Sequence, residues 1–198
     1  MPAPASLVVA TLNPHKLAEF RRLLVPAGIA VDPLPDGIEL PPEEGETFEA
    51  NARPKARVAA AVTGLVSIAD DSGIESEALN GRPGVRSARY AGDTATDEEN
   101  LLKLMREAPA GSGLCYVCAV AYVDPVERQE QVFRGACRGT LAAEIRGAGG
   151  FGYDPAFLPD GDFDGLTMAE LPDAEKDRIS HRGSAVRALL TWLAGDRR

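Results

Sequence analysis

The run Ser67–Gly73, SIADDSG, carries an apolar segment straight into two adjacent carboxylates, a hydroxyl and a glycine. Few local patterns restrict a chain as much. The apolar residues of Leu65–Ala69 suit a buried strand, and Gly73 supplies backbone angles closed to other residues. Asp70 and Asp71 are therefore expected at the carboxyl end of that strand, the edge at which open α/β sheets bind ligands. An Asp-Asp-Ser-Gly string also makes an ordinary turn, so the rest of the chain has to decide between the two readings.

A chain of 198 residues with 44% hydrophobic content fits one domain, or two lobes sharing a core. No apolar run approaches the roughly 20 residues needed to cross a bilayer. The opening MPAPASLVVA has neither the basic start nor the long apolar stretch of a signal peptide. The expectation is a soluble protein of the cytoplasm with no membrane partner. Cys115, Cys118 and Cys137 are an odd number, and the first two lie three apart in a strand-like run, on opposite faces. Buried reduced thiols are favoured over a disulfide or redox dithiol. The formal net charge is −9 and the 21 basic residues are scattered. Phosphate neutralisation dominates nucleic-acid affinity, so no nucleic acid is expected as a partner. A small phosphate ligand remains suitable, because a cleft can be locally positive inside an acidic protein and a metal ion adds to that.

Leu7–Ala10 reads as a first strand, Asn13 as a helix cap and Pro14 as the first helical residue, followed by an apolar stripe of Leu17, Phe20, Leu23 and Leu24. Pro26 and Gly28 end the helix, Ile29–Val31 suggests a second strand, and Pro33–Pro42 reads as a surface loop. A helical segment spans about Thr47 to Val62 and stops at Gly64. An interior proline costs about 3 kcal/mol, so Pro54 predicts a kink there or a later start. Gly73–Gly92 holds glycines and short extended pieces, after which Thr96 and Glu99 form a capping box opening a helix through Leu101, Leu102, Leu104 and Met105. Leu114–Val123 and Gln131–Cys137 alternate as antiparallel neighbours across an Asp124-Pro125 turn, and Gly147–Asp154 is a glycine-rich loop. Ala185, Val186, Leu189, Leu190 and Leu193 line one face of a last helix. The class is α/β with a mixed sheet rather than a purely parallel one.

Four stretches hold polar residues that core packing does not require. Thr11, Asn13 and Lys16 place a hydroxyl, an amide and an ammonium around a strand-to-helix turn, where free backbone N–H groups and partial positive charge suit a phosphate. Glu43 stands in a loop before Asn51 and Lys55, which are four apart on one helical face. Paired with Asp71, Glu43 would offer the hard oxygens that Mg²⁺ takes, water and phosphate filling the other positions. The third stretch is the Asp70–Gly73 run itself. The fourth joins Gly149–Pro155 to Lys176, His181 and Arg182. There Phe151 and Tyr153 are placed to stack on a base, or else to pin the loop to the core, while His181 and Arg182 can donate hydrogen bonds to a carbonyl.

The ordered blocks T-x-N-x-x-K, TFEANA…KA, ADDSG, PGVRSARYAG, GGFGYDP and SHRG run from Val9 to Leu193 and resemble the inosine/xanthosine triphosphate pyrophosphatase family. The resemblance implies an α/β fold with a long mixed β-sheet and flanking helices, residues 1–198 forming one ITPase-like domain of two lobes with a central cleft. It further implies Mg²⁺ dependence, a homodimer, and hydrolysis of ITP, dITP and XTP to a nucleoside monophosphate and pyrophosphate. By position, the turn Thr11, Leu12, Asn13, Pro14, His15 and Lys16 matches the family's phosphate-binding segment. Glu43 and Asp71 match its metal-linked carboxylates, and Asp71 its proton acceptor. Ser72, Phe151, Gly152, Tyr153, Asp154, Lys176, His181 and Arg182 match its substrate contacts. The mechanism that follows is attack of water on the α-phosphorus, with Lys16 and Lys55 offsetting the triphosphate charge. Base choice follows from His181 and Arg182 meeting the six-position carbonyl of inosine and xanthosine, which adenine replaces with an amine. Pro54 and Ala50 depart from the family's pattern, and Glu43 and Glu44 both remain open as the metal ligand. The alternatives are a Maf-like pyrophosphatase acting on pyrimidine or modified nucleotides, and a nucleotide sensor without catalysis.

Overall fold

Strand β1 (Ser6–Val9) forms where Leu7, Val8 and Val9 are all buried. Helix α1 (Pro14–Leu24) follows, with Asn13 as its cap and proline in its first turn. A short 3-10 turn at Val25–Ala27 ends on Gly28 at φ +81°, a left-handed position that glycine takes without strain. Strand β2 (Ala30–Pro33) then pairs parallel to β1 from Ser6↔Ala30 to Val9↔Pro33. It is an edge strand, the place where a sheet tolerates proline. The computed structural model describes residues 3–195; Met1, Pro2 and 196–198, which belong to the expected 1–198 span and include the start of the opening segment, lie outside the described residues.

Helix α2 (Phe48–Thr63) is capped by Thr47 and closed by Gly64 at φ +68°. It runs continuously from Phe48 through Pro54, so of the two outcomes expected from that proline, a kink or a later start, the later start does not occur. The compensation is tertiary. Ala52, Ala56 and Ala59 are fully buried in a cluster with Ala10, Ala69 and Ala121, and such small side chains let the helix backbone lie close to the sheet. On its outer side Arg53 and Arg57 both donate to Glu130.

Strand β3 (Ser67–Ser76) is longer than its sequence suggests. The DDSG run does not turn the chain, and Gly73 lies inside the strand. Asp70 and Asp71 therefore lie in the middle of their strand rather than at its expected carboxyl end. β1 pairs parallel with β3 only at Val8↔Ser67 and Val9↔Ile68, so Asp70 and Asp71 stand just beyond the end of β1.

Helix α3 (Asp97–Glu107) opens on the expected capping box, Thr96 and Glu99 serving each other's backbone. Strands β4 (Gly113–Asp124) and β5 (Gln129–Leu141) are sheet neighbours joined by a tight turn, which only antiparallel strands allow. β4 is buried on both faces, whereas β5 alternates buried and exposed from Phe133 onward. Strand β6 (Phe157–Pro159) pairs antiparallel with β5, and helices α4 (Asp173–Ile179) and α5 (His181–Leu193) complete the chain. The sheet order is β2-β1-β3-β4-β5-β6, with parallel and antiparallel pairs, the mixed α/β class expected.

Two compact units can be described. The first holds the chain up to Asp71, Cys118–Gly135 and the chain from Arg182, around a core in which Leu7, Phe20, Ile68, Val120 and Phe133 meet Ala185, Val186 and Leu189 of α5. The second holds Ser72–Val117 and Ala136–His181, around Ile74, Leu101, Leu104, Leu114, Leu141, Phe157 and Met168. Cys118 and Cys137 are buried free thiols, and burial pushes each up to about 12, so neither supplies a thiolate near neutral pH.

Candidate active site

In the first unit the charged side chains gather where β1 ends. Successive residues of a strand face opposite sides, and Asp70 and Asp71 accordingly meet different partners. Asp70 Oδ2 lies 3.0 Å from Lys16 Nζ and accepts from Arg182 Nη2 at 2.7 Å. Arg182 Nη1 also donates to Glu19, a buried acid of α1. Burial opposes the charge of Asp70, but Lys16, Arg182 and Lys55 outweigh it and hold the carboxyl far below the usual carboxylate range.

Asp71 is pushed the other way. Burial raises it first and the facing Glu43 second, while the Asn51 hydrogen bond, Lys55 and Lys16 offset only part of the rise. Asn51 Nδ2 donates to Asp71 Oδ2 at 2.8 Å, and Asn51 Oδ1 accepts from Gly45 N at 2.7 Å. One amide thus ties the loop bearing Glu43 to Asp71. Lys55, one turn along α2, donates to Glu43 and to the backbone oxygen of Asp70 at 2.6 Å. Glu43 is half-buried in this group, whereas Glu44 is exposed.

The turn Thr11–Lys16 differs from its expectation. Asn13 Oδ1 accepts from the backbone N–H groups of His15 and Lys16, at 2.9 and 3.2 Å. These donors are engaged by the cap rather than held open for a phosphate, which leaves the Lys16 ammonium as the turn's principal charge. Thr11 Oγ1 accepts from Asn13 N at 3.2 Å, Pro14 opens α1, and Leu12 is 79% exposed.

The second unit holds its own network, with Asp154 at the centre. Its Oδ2 accepts from Lys176 Nζ at 2.7 Å and from Phe151 N at 2.9 Å, and its Oδ1 accepts from the Tyr116 hydroxyl at 3.0 Å. Gly150 has φ +70°, and a Cβ there would collide with Asp154 Oδ2, so the loop can pass this carboxylate only as glycine. The Lys176 ammonium lies 5.1 Å from the Phe151 ring centre. Gly152 N donates to Asp97 Oδ2 at 2.9 Å. Ser72, half-buried, opens this unit directly after Asp71.

Two residues are corrected by these positions. Tyr153 is buried and its hydroxyl donates to Ser87 O at 2.7 Å, so it pins the loop to the core instead of offering a ring for stacking. Arg182 is 1% exposed and turned toward Asp70 and Glu19, a placement that makes it an internal counter-charge rather than an open donor to a base. Both lost their expected role because a long or aromatic side chain found a buried partner that spacing does not reveal. Glu19 and Tyr116 were missed as contributors. Glu19 lies three residues after Lys16 on one helical face, a signal that was available; Tyr116 carries no local signal.

Residues 7–192 match the Ham1 family. The protein named dITP/XTP pyrophosphatase from Frankia alni is 48% identical, with 94% of this chain and 96% of that protein covered. Among solved structures, a HAM1 protein from Coxiella burnetii aligns with TM-score 0.82 at 39% identity over 96% of this chain and 98% of that one. A nucleoside-triphosphatase / dITP/XTP pyrophosphatase from Mycobacterium abscessus aligns with TM-score 0.70 at 43% identity, covering 93% and 98%.

Proposed function

This chain belongs to the Ham1 family, and from that premise we infer that it is a nucleoside-triphosphate pyrophosphatase acting on the non-standard purine nucleotides ITP, dITP and XTP. It hydrolyses the phosphoanhydride bond between the α- and β-phosphates. The observation that carries this reading is the charged group of the first unit, in which Asp71 faces Glu43 while Lys16 and Lys55 stand close to both aspartates.

The residues present fit a divalent cation. Glu43 stands close enough to Asp71 to raise its pKa, and the two carboxylates together offer hard oxygens of the kind a divalent cation takes. No group of three or more His, Cys, Asp or Glu gathers as a metal centre among the described residues. The protein would therefore give Glu43 and Asp71 and leave the remaining positions to water and phosphate oxygens, the manner of Mg²⁺. When bound, Mg²⁺ supplies charge neutralisation to the triphosphate. The exposure of Glu44 favours Glu43 as the ligand.

In the reaction, water oxygen bonds to the α-phosphorus and the bond to the bridging oxygen breaks, its electron pair leaving with pyrophosphate. Asp71 takes the water's proton, its carboxylate standing in the group that faces Glu43. Lys16, steadied by Asp70, and Lys55 balance the triphosphate charge. Arg182 acts through Asp70 by fixing that carboxylate. On the base, Phe151 supplies the stacking face and His181 the donor that matches a six-position carbonyl, while Lys176, paired with Asp154, lies beside the Phe151 ring. The acidic net charge of −9 supports free nucleotides rather than nucleic acid as substrates. A homodimer in the cytoplasm completes the reading; among the described residues no helix is long and apolar enough to cross a membrane.

The test is turnover of ITP, XTP, GTP and ATP in competition, with the phosphate product identified. Pyrophosphate, released from ITP and XTP at rates at least 100-fold above ATP, is expected, since mismatched buried hydrogen bonds discriminate by several powers of ten. Equal rates on ITP and ATP contradict the donor reading. Preference for pyrimidine nucleotides points to a Maf-like activity, and the absence of any release points to a nucleotide sensor.

A further inference from the structure

Within the second unit, Tyr116 of β4 is in contact with His181 and Asp154 at once. Its ring is stacked on the His181 imidazole, the centroids 4.6 Å apart and the planes 7° from parallel, and Phe157 approaches the same ring at 4.6 Å. Its hydroxyl donates to Asp154 Oδ1 at 3.0 Å, and the other oxygen of that carboxylate accepts from Lys176 Nζ and Phe151 N. A single rigid side chain thus touches His181, an expected base donor, directly and reaches Lys176 and the aromatic loop through one carboxylate. Core packing requires only the ring. The hydroxyl, buried with 6% of the residue exposed, is spent on the Asp154 carboxylate that also accepts from Lys176.

The geometry points to Tyr116 as a positioning residue for purine selectivity, an assignment that rests on the proposed function. The stack fixes the plane of the His181 ring, and the phenol hydrogen bond holds Asp154 so that Lys176 and Phe151 keep one arrangement. A donor set in this way discriminates a carbonyl from an amine, because a misplaced donor loses the matched base while gaining nothing with the mismatched one.

Two substitutions separate the parts. Tyr116→Phe keeps the ring and its stack and removes the hydroxyl, whereas Tyr116→Leu removes both. For each variant and the wild type, kcat and KM are measured for ITP and ATP, together with competitive inhibition by inorganic tripolyphosphate, which has no base. Tyr116→Phe is expected to lower kcat/KM for ITP about tenfold, mainly through KM, with ATP unchanged, so that the ITP-to-ATP ratio falls about tenfold. Tyr116→Leu lowers the ratio further, and inhibition by tripolyphosphate stays at the wild-type value in the Phe variant. A Phe variant that retains the wild-type ratio overturns the assignment, as does one that loses ITP, ATP and tripolyphosphate in equal measure, the mark of a merely structural role. A wild type that releases no pyrophosphate from ITP instead overturns the underlying function, and the assignment with it.

Discussion

Asp70 and Asp71 are adjacent on one strand and both buried, yet cations outweigh burial at the first, while at the second burial and the facing Glu43 outweigh Asn51 and two of the same cations. Strand alternation separates them, and the partners that set their chemistry arrive from far away: Asp70 and Arg182 are 112 residues apart, Arg182 and Glu19 163. The sequence therefore identified both aspartates but could not say that the first anchors a buried ion network. Replacing Asp70 by asparagine leaves Arg182 and Lys16 without their shared counter-charge, and should cost about 3–5 kcal/mol of stability at neutral pH, measured by urea unfolding. The sign of the pH dependence follows from a folded pKa held below its unfolded value. The stability contributed by Asp70 is fully present above about pH 4, the ordinary aspartate value, and fades on acidification below it. The gap between wild type and Asp70→Asn should therefore be constant from pH 5 to 8 and narrow in stronger acid; a gap that instead widened below pH 4 would show the pairing to be misassigned.

The elements that signalled themselves locally are those with chemical punctuation: Asn13-Pro14 at the start of α1, Thr96 and Glu99 at the start of α3, Gly64 at the end of α2. Where the deciding force was tertiary, the expectation went astray. β3 continues through Asp70–Gly73 because it is held within a six-stranded sheet, although the string alone reads as a turn. α2 continues through Pro54 because its alanine face is packed and its arginines are tied to Glu130. Pro54→Ala restores a helix donor worth about 3 kcal/mol and gives back about 1 kcal/mol of unfolded-state entropy. The variant should thus be more stable by about 2 kcal/mol in denaturant unfolding, with Asn51 and Lys55 still in place and ITP turnover within twofold of wild type. A less stable variant would mean that the proline ring itself makes a contact the helix needs.

Across the whole molecule, the ordered blocks were legible because each is local, and together they span nearly the 7–192 stretch that matches the family. What the blocks could not disclose is how side chains within each unit pair off, as Tyr116 does with Asp154 across 38 residues and Asn51 with Asp71 across 20. The expected roles of Tyr153 and Arg182 changed for that reason, while Lys16, Glu43, Lys55 and Asp71 do come together in the first unit. The account stands on that last grouping acting on a triphosphate with a divalent cation. Pyrophosphate release from ITP, followed as Mg²⁺ is raised from zero to saturation for wild type and Asp71→Asn, addresses it directly. Wild type should be silent without the ion and reach a plateau with it, while Asp71→Asn stays at least about 100-fold lower at the same plateau; an Asp71→Asn protein that approaches wild-type turnover at saturating Mg²⁺ would contradict it.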